Sequence, residues 1–152
     1  MTAEDIRLDL LNTLHAVSII SFSGILAETS KGEFLMMAAI DRLEKTGRSE
    51  SCGISNIAET LNVSSPAVSR TITSLENRGY VTRYIDRLNR RNRCVRLTER
   101  GAEIFESEKN RLSDFVGKIA ERMGEDRLSE LLSLSNDLLR NIEEEINLRK
   151  DE

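Results

Sequence analysis

The sequence has few of the residues from which catalytic and metal centres are built. Its 152 residues include one histidine, two cysteines, one proline, six Phe or Tyr and no tryptophan. His15 is therefore the single imidazole available to a general base or a zinc site, and no motif pairs it with a serine. Glycine-rich phosphate loops and the HExxH pattern are absent as well. We predict a binding protein rather than an enzyme, with no catalytic residues, no cofactor and no metal.

The chain also lacks a long apolar run. Its longest apolar stretch, 34–40, is far shorter than the roughly 20 residues that cross a bilayer. The sequence does not begin with the basic region that precedes the apolar region of a signal peptide. Two cysteines without a pairing pattern suit a reducing compartment. We therefore expect a cytoplasmic protein with no membrane partner. Hydrophobic residues at 39% and charged residues at 32% are ordinary for a single helical domain of this length.

Residues 54–78 have the spacing of two short helices joined by a tight turn. Apolar residues recur at helical spacing through 54–61, and Asn62 then interrupts the pattern with a residue that tolerates turn conformations. Ser64 is a good N-cap, and Pro66, the only proline, falls where its missing N–H costs nothing. The buried stripe of the second helix follows at i, i+4 and i+7: Val68, Ile72 and Leu75. The pattern predicts a helix-turn-helix.

The opposite face of the second helix carries small side chains and one guanidinium. Small side chains let a helix approach a DNA groove closely, and arginine can donate two hydrogen bonds to guanine. The predicted DNA-binding residues of this helix are Ser64, Ser65, Pro66, Ala67, Ser69, Arg70, Thr73 and Arg78. Within that set, Thr73 and Arg78 are assigned to phosphates and Arg70 to a base edge.

A basic β-hairpin is predicted to follow the helix-turn-helix. Gly79 ends the second helix, and the β-prone segments 80–85 and 93–97 can pair antiparallel. Residues 64–101 hold nine arginines, no lysine and three acidic residues, a net charge of +6 on a chain whose net charge is −4. Such a local positive patch is typical of a nucleic-acid interface. The hairpin tip adds Arg87, Arg90 and Arg91, the last two assigned to a narrow A·T-rich minor groove. Solvated or ion-paired roles are equally compatible with Arg78, Arg83, Arg87 and Arg96.

Helices with broad apolar faces are predicted on both sides of this lobe. The regions 3–27 and 102–149 repeat apolar residues at helical spacing, and one small winged domain could not cover both faces. We predict that these regions form a homodimer around a DNA-binding lobe at 30–101, within a single domain over 1–152. The fold class is mainly α with a small β-wing (α+β), a winged helix-turn-helix flanked by N- and C-terminal dimerisation helices.

Several motifs resemble those of the MarR family. They are the recognition-helix segment 63–70, the pattern L-E-x-x-G-hydrophobic-V at 75–81, two wing arginines, and V-x-L-T-x-x-G at 95–101. The resemblance covers most of the chain, because predicted helices flank these motifs in the family order. One position departs from it, since Asn89 stands where the family has an acid before the wing arginines. The resemblance implies a homodimeric regulator, typically a repressor, that binds a pseudo-palindromic operator in double-stranded DNA.

The resemblance also implies release by a small molecule, commonly an aromatic or lipid-like ligand held between the dimerisation helices and the DNA-binding lobe. His15, Phe22, Phe34 and Met37 are candidates for such a pocket, and they fit a core equally well. Two alternatives stay open beside a ligand-free binder. One is a redox-sensing regulator that uses Cys52 or Cys94, because neighbouring cations lower a thiol pKa. The other is a winged-helix protein-interaction module that does not bind DNA.

Overall fold

A computed structural model describes residues 2–46, 53–86 and 93–150 of the chain. In those ranges the fold is mainly helical with one two-stranded antiparallel sheet, which confirms the predicted fold class. The elements are α1 (Ala3–Ser18), α2 (Lys31–Lys45), α3 (Ile54–Leu61), α4 (Ser65–Asn77), β1 (Val81–Ile85), β2 (Arg93–Leu97), α5 (Glu99–Met123) and α6 (Glu125–Lys150). The chain divides into two compact units, Met1–Arg111 and Leu112–Glu152.

The predicted helix-turn-helix is confirmed by α3 and α4. Asn62 follows α3 in the left-handed conformation, with φ of 51°, and this reverses the chain direction. Ser64 is the N-cap of α4, where its hydroxyl accepts a hydrogen bond from the Ala67 N–H at 3.4 Å, and Pro66 lies in the first helical turn. Short polar side chains thus set both ends of the turn.

The start of α2 is fixed in a similar way by a capping box. The Ser30 hydroxyl accepts from the Glu33 N–H at 3.2 Å, and the Glu33 carboxylate accepts from the Ser30 N–H at 2.9 Å. Two N–H groups that the helix itself cannot pair are satisfied by this exchange. The same Glu33 carboxylate also contacts Ser74 of α4.

The wing is the antiparallel pair of β1 and β2. Val81 lies opposite Leu97 and Ile85 lies opposite Arg93, which fixes the register of the hairpin. Gly53, the residue before α3, forms an isolated antiparallel bridge with Cys94 of β2. The backbone that enters the helix-turn-helix is therefore joined to the wing.

Two glycines allow the tight connections at the ends of α4 and of the wing. Gly79 ends α4 with φ of +74°, a conformation that other residues rarely adopt. Gly101, in the first turn of α5, lies against the backbone of Tyr80, and a Cβ atom there would be 1.8 Å from the Tyr80 carbonyl oxygen. Only glycine allows α5 to begin at this distance from the start of the wing.

The core of the first unit is built from α2, α3, α4 and the wing. Its fully buried side chains include Met37, Ile40, Ile57, Ile72, Leu75 and Val95. Phe34 of α2 packs on Phe105 of α5 with the ring centroids 5.5 Å apart. This core packs against one face of α4 and leaves the other face of that helix exposed.

The predicted helix over 3–27 was too long, because α1 ends at Ser18. The Ser18 hydroxyl donates to the His15 carbonyl at 2.7 Å, and the Ser21 hydroxyl pairs with the Ser23 hydroxyl and accepts from its N–H. Short polar side chains that bond to nearby groups in this way compete with the helical pattern. The C-terminal helices agree with prediction, and Gly124, with φ of +84°, separates α5 from α6.

Candidate nucleic-acid interface

The helix α4 has one buried face and one exposed face. Val68, Ile72 and Leu75 are fully buried, as the helical spacing predicted. Ser64, Ser65, Pro66, Arg70 and Thr73 are exposed, and Ala67 and Ser69 are half-buried. The predicted DNA-binding residues of α4 therefore lie away from its core face, on a surface with few bulky side chains.

Arg70 is the cation on this surface. Its side chain is exposed and makes no hydrogen bond or ion pair with any residue in 2–46, 53–86 or 93–150. All five guanidinium N–H donors are thus available to an external acceptor. A base edge or a phosphate can be contacted at this position without breaking an internal interaction.

Thr73 and Arg83 connect α4 to the wing. Arg83 of β1 forms an ion pair with Glu76 at 3.1 Å and donates to the Thr73 hydroxyl at 3.2 Å. The Thr73 hydroxyl itself donates to the Ser69 carbonyl at 2.9 Å. For Arg83, the ion-paired alternative is therefore the one that the structure shows.

A second set of contacts, which we call the Arg78 cluster, ties the end of α4 to α2. It consists of Arg78, Glu33, Ser74, Tyr80 and the Glu28 carbonyl. Arg78 forms an ion pair with Glu33 at 3.2 Å, donates to the Glu28 carbonyl and the Tyr80 hydroxyl, and lies 4.6 Å from the centre of the Tyr80 ring. Arg78 is thus ion-paired within the fold, and its predicted phosphate contact stays a prediction.

The electrostatics of the Arg78 cluster favour a charged Glu33. Burial by itself would raise the pKa of this carboxyl group, but the Ser30 N–H, the Ser74 hydroxyl and the Arg78 guanidinium together lower it below 4.5. The Ser74 hydroxyl donates to the same carboxylate at 3.1 Å. A single carboxylate therefore caps α2 and contacts both Ser74 of α4 and the C-cap residue Arg78.

Two further arginines near the wing lie on tyrosine rings. Arg96 lies 5.1 Å from the centre of the Tyr84 ring, and Arg100 lies 5.4 Å from that of Tyr80. Cation–π contacts of this kind leave the N–H groups at the guanidinium edge free to donate. The positive charge of the patch is thus held in place by aromatic side chains.

Several predicted residues lie outside the described ranges. They are the wing-tip arginines Arg87, Arg90 and Arg91, together with Asn89 and Cys52. Cys94, by contrast, is described: its side chain is fully buried in β2 and is disulfide-bonded. The sequence showed no pairing pattern for its cysteines, so this disulfide was not predicted. The backbone bridge of Gly53 to Cys94 joins the residue before α3 to β2 at the same position.

The four candidates for a ligand pocket have different surroundings. His15 is exposed on α1, and Phe22 is half-buried with the Lys31 ammonium 5.0 Å from its ring centre. Phe34 and Met37 are buried in the core of the first unit. Their role in a ligand pocket stays a prediction.

One buried carboxylate was not found from the sequence. Glu108 of α5 is completely buried and accepts hydrogen bonds from the N–H groups of Ala27 and Glu28 at 3.1 Å and from the Thr29 hydroxyl at 3.4 Å. It lies at a position where a repeating apolar pattern would place a leucine, so charge alone did not distinguish it from surface glutamates. Glu108 holds the segment from which α2 begins.

The family model for the MarR family matches residues 43–92, the segment that contains α3, α4 and β1. This segment of the chain is similar to the MarR family. No curated protein sequence matches the chain. Among the described residues there is no cluster of metal-ligating side chains and no helix long and apolar enough to span a membrane.

Solved structures of similar fold include transcriptional regulators from bacteria and archaea. A mutant of MarR from E. coli in complex with operator DNA superposes with a TM-score of 0.71 at 19% identity, covering 91% of this chain and 99% of that one. BldR from Sulfolobus solfataricus gives 0.67 at 24% identity, with coverage of 93% and 99%. PcaV from Streptomyces coelicolor, solved with its natural ligand, gives 0.64 at 14% identity, with coverage of 86% and 89%. At these identities the likeness establishes the fold.

Proposed function

We propose that this protein is a member of the MarR family and a homodimeric transcriptional repressor that binds a pseudo-palindromic operator through α4 and the wing. The observation that carries the proposal is the pair of faces on α4. One face is fully buried through Val68, Ile72 and Leu75, and the other presents small side chains beside Arg70, which has no partner among the described residues. A helix that is packed on one face and carries small side chains on the other can enter a major groove.

The contacts behind α4 support this assignment. Arg83 connects the helix to β1, and the Arg78 cluster connects its C-terminal end to α2. These contacts fix the helix and the wing as one surface, so that a base contact by Arg70 and a groove contact by the wing tip can form together. The operator complex of the E. coli MarR mutant is consistent with that use of the fold.

The dimer is proposed from apolar residues that the single chain leaves exposed. On α1, Ile6, Leu8, Leu11 and Val17 are each more than half exposed. No residue of α6 is buried, although Leu132, Leu134, Leu139 and Leu148 are apolar and more than half exposed. A second copy of the chain could cover these side chains. Each Å² of apolar surface removed from water in this way would stabilise the dimer by about 25 cal/mol.

A two-fold dimer places two copies of α4 in successive major grooves. The expected half-sites are about 34–36 Å apart, one helical turn of DNA. Arg90 and Arg91 are proposed to enter the minor groove that flanks each half-site. Arg91→Ala should then weaken all duplexes alike and reduce the salt slope by about one unit.

Selection from a random duplex pool tests the proposal directly. The full-length protein should enrich a pseudo-palindrome with half-sites about 10 base pairs apart. Fluorescence anisotropy should then show at least about a thousandfold preference over a scrambled duplex, with affinity that falls steeply as salt rises. Weak binding to both duplexes, with an affinity that does not change with salt concentration, would instead favour a protein-interaction module that does not bind DNA.

Release by a small-molecule effector is the second part of the proposal. The structure of PcaV, solved with its natural ligand, supports this part of the proposal. Titration of the protein–operator complex with phenolic acids should lower its anisotropy at constant salt. Complete insensitivity to every class of small molecule tested would favour a constitutive regulator.

A thiol-based response is a second candidate, favoured by the disulfide at Cys94. A dithiol reagent would transfer two electrons and two protons to this bond and leave two protein thiols, while the reagent becomes a cyclic disulfide. Because β2 is bridged to the entry of α3 at this residue, reduction should loosen the support of the wing. Operator affinity that differs between the oxidised and reduced protein, and does not differ in Cys94→Ser, is expected for a redox regulator.

A further inference from the structure

The backbone segment that leads into α2 is held from α5 by a buried carboxylate. Glu108 of α5 is completely buried, and it accepts hydrogen bonds from the N–H groups of Ala27 and Glu28 at 3.1 Å. The Thr29 hydroxyl donates to the same carboxylate at 3.4 Å, and the Arg111 guanidinium lies 3.9 Å from it. A backbone N–H can only donate, so the two amides need an acceptor at this position.

The same segment is also held from the end of α4. The Glu28 carbonyl accepts a hydrogen bond from the guanidinium of Arg78, the C-cap residue of α4. Glu28 therefore joins α5 to α4 through its own backbone, with its N–H on Glu108 and its carbonyl on Arg78. Because the peptide groups on either side of one residue are rigid planes, a shift at one of these contacts is passed to the other.

We infer that Glu108 is a positioning residue for operator binding, which acts on the C-terminal end of α4 through Glu28 and Arg78. Its effect on DNA rests on the proposed function, in which α4 enters the major groove. Arg70 lies eight residues before Arg78 on this helix, a distance of about 12 Å along the axis. A base contact weakens steeply once its hydrogen bonds lengthen beyond about 3.2 Å, so a small rotation of α4 about its end is enough to lose it.

Substitution of Glu108 separates positioning from electrostatic attraction by the sign of the effect. Glu108→Gln and Glu108→Met each remove one negative charge, and by charge alone either change would strengthen binding to DNA. Loss of acceptor oxygens instead releases the segment that holds Arg78 and should weaken binding. Glutamine keeps one acceptor oxygen and methionine keeps none, so the loss should be larger in Glu108→Met.

Operator anisotropy with the full-length protein measures this effect, with circular dichroism to confirm that each variant is folded at the assay temperature. We expect the Glu108 variants to bind the selected operator about 2- to 30-fold more weakly than the wild type. Glu106→Gln and Glu106→Met are the matched controls on the same helix, because the Glu106 carboxylate is exposed and pairs with Lys109 at 2.9 Å. They should bind at least as tightly as the wild type. Glu108 variants that bind no more weakly than these controls would overturn the positioning role.

A double-substitution cycle tests the route through Arg78. Arg78→Lys keeps the positive charge but loses the planar fork that contacts both Glu33 and the Glu28 carbonyl. If Glu108 acts through Arg78, Glu108→Gln should cost less than about twofold in operator affinity once Arg78→Lys is present. Losses that multiply fully in the double variant would show a different route and overturn the inference.

NMR of the free protein tests the same connection without DNA. Hydrogen exchange at the amides of Ala27 and Glu28 should be about tenfold or more faster in Glu108→Met than in the wild type. The guanidinium ¹⁵N signals of Arg78 should shift in Glu108→Met and stay in place in Glu106→Met. Arg78 signals that do not respond to Glu108→Met would overturn the connection. Failure of the wild type to bind any selected operator would overturn the proposed function, and the Arg78 signals would still decide whether Glu108 and α4 are connected.

Discussion

Replacement of Gly101 by alanine tests the junction between the wing and α5. The added Cβ would lie 1.8 Å from the carbonyl oxygen of Tyr80, 2.7 Å from its carbonyl carbon and 3.0 Å from its Cα. All three are backbone atoms, so no side-chain rotation relieves the overlap. The start of α5 must move by more than an ångström.

The same movement breaks a short chain of hydrogen bonds. The Thr98 N–H donates to the Tyr80 carbonyl at 3.0 Å, the Thr98 hydroxyl donates to the Gly79 carbonyl at 2.6 Å, and the Gly101 N–H donates to that hydroxyl at 2.9 Å. Overpacking costs about 1–3 kcal/mol and an unsatisfied buried group about 1–3 kcal/mol more, which gives a loss of about 2–6 kcal/mol in unfolding free energy.

Urea denaturation at a fixed protein concentration measures this loss, because the stability of the proposed dimer would depend on concentration. Gly117→Ala is the matched control on the same helix, since a Cβ there meets nothing within 4 Å. That substitution should stabilise the protein by up to about 1 kcal/mol through helix propensity. Equal midpoints for the two variants would refute the close packing of α5 on Tyr80.

The carboxylates of Glu33 and Glu108 give two further predictions about the free energy of unfolding. Glu33→Gln should cost about 0.5–1.5 kcal/mol, because the ion pair with Arg78 is partly exposed to solvent and therefore screened. Since the pKa of Glu33 is below 4.5 in the folded protein, its contribution is complete above that pH and is lost as the pH falls through the folded-state pKa. The urea midpoint of Glu33→Gln should therefore fall less steeply with acid than that of the wild type. Glu108→Gln should cost about 1–3 kcal/mol, because its amide group would face the N–H of Ala27 or the hydroxyl of Thr29, and a midpoint like that of the wild type would contradict the buried contacts.

The helix-turn-helix was predictable because each local feature has a separate cause. Asn62 accepts the left-handed conformation, Ser64 caps the next helix, and the apolar residues of α4 fall on one face. Because turn chemistry, helix capping and apolar periodicity all favour the same structure here, the fold of this segment could be predicted from the sequence. Gly101 was visible as part of a family motif, but its reason, the approach of Tyr80, depends on tertiary structure.

The roles of individual arginines could not be predicted from the sequence. Arg70 and Arg78 lie on the same helix and both looked available to DNA. The ion pair of Arg78 with Glu33 joins residues 45 positions apart, and local spacing carries no information about such a contact. The end of α1 was missed for a different reason, because apolar spacing continues past Ser18 while serine side chains compete for the backbone.

The most direct test of operator recognition by α4 is the sequence discrimination of Arg70→Ala. Anisotropy against the selected operator and a scrambled duplex gives a ratio of affinities for each protein. The account predicts that Arg70→Ala lowers this ratio by about 5- to 150-fold, the value of a bidentate base contact. Arg140→Ala, which removes an equal charge from an ion pair with Asp137 on α6, should leave the ratio unchanged. An unchanged ratio in Arg70→Ala would contradict the placement of α4 in the major groove.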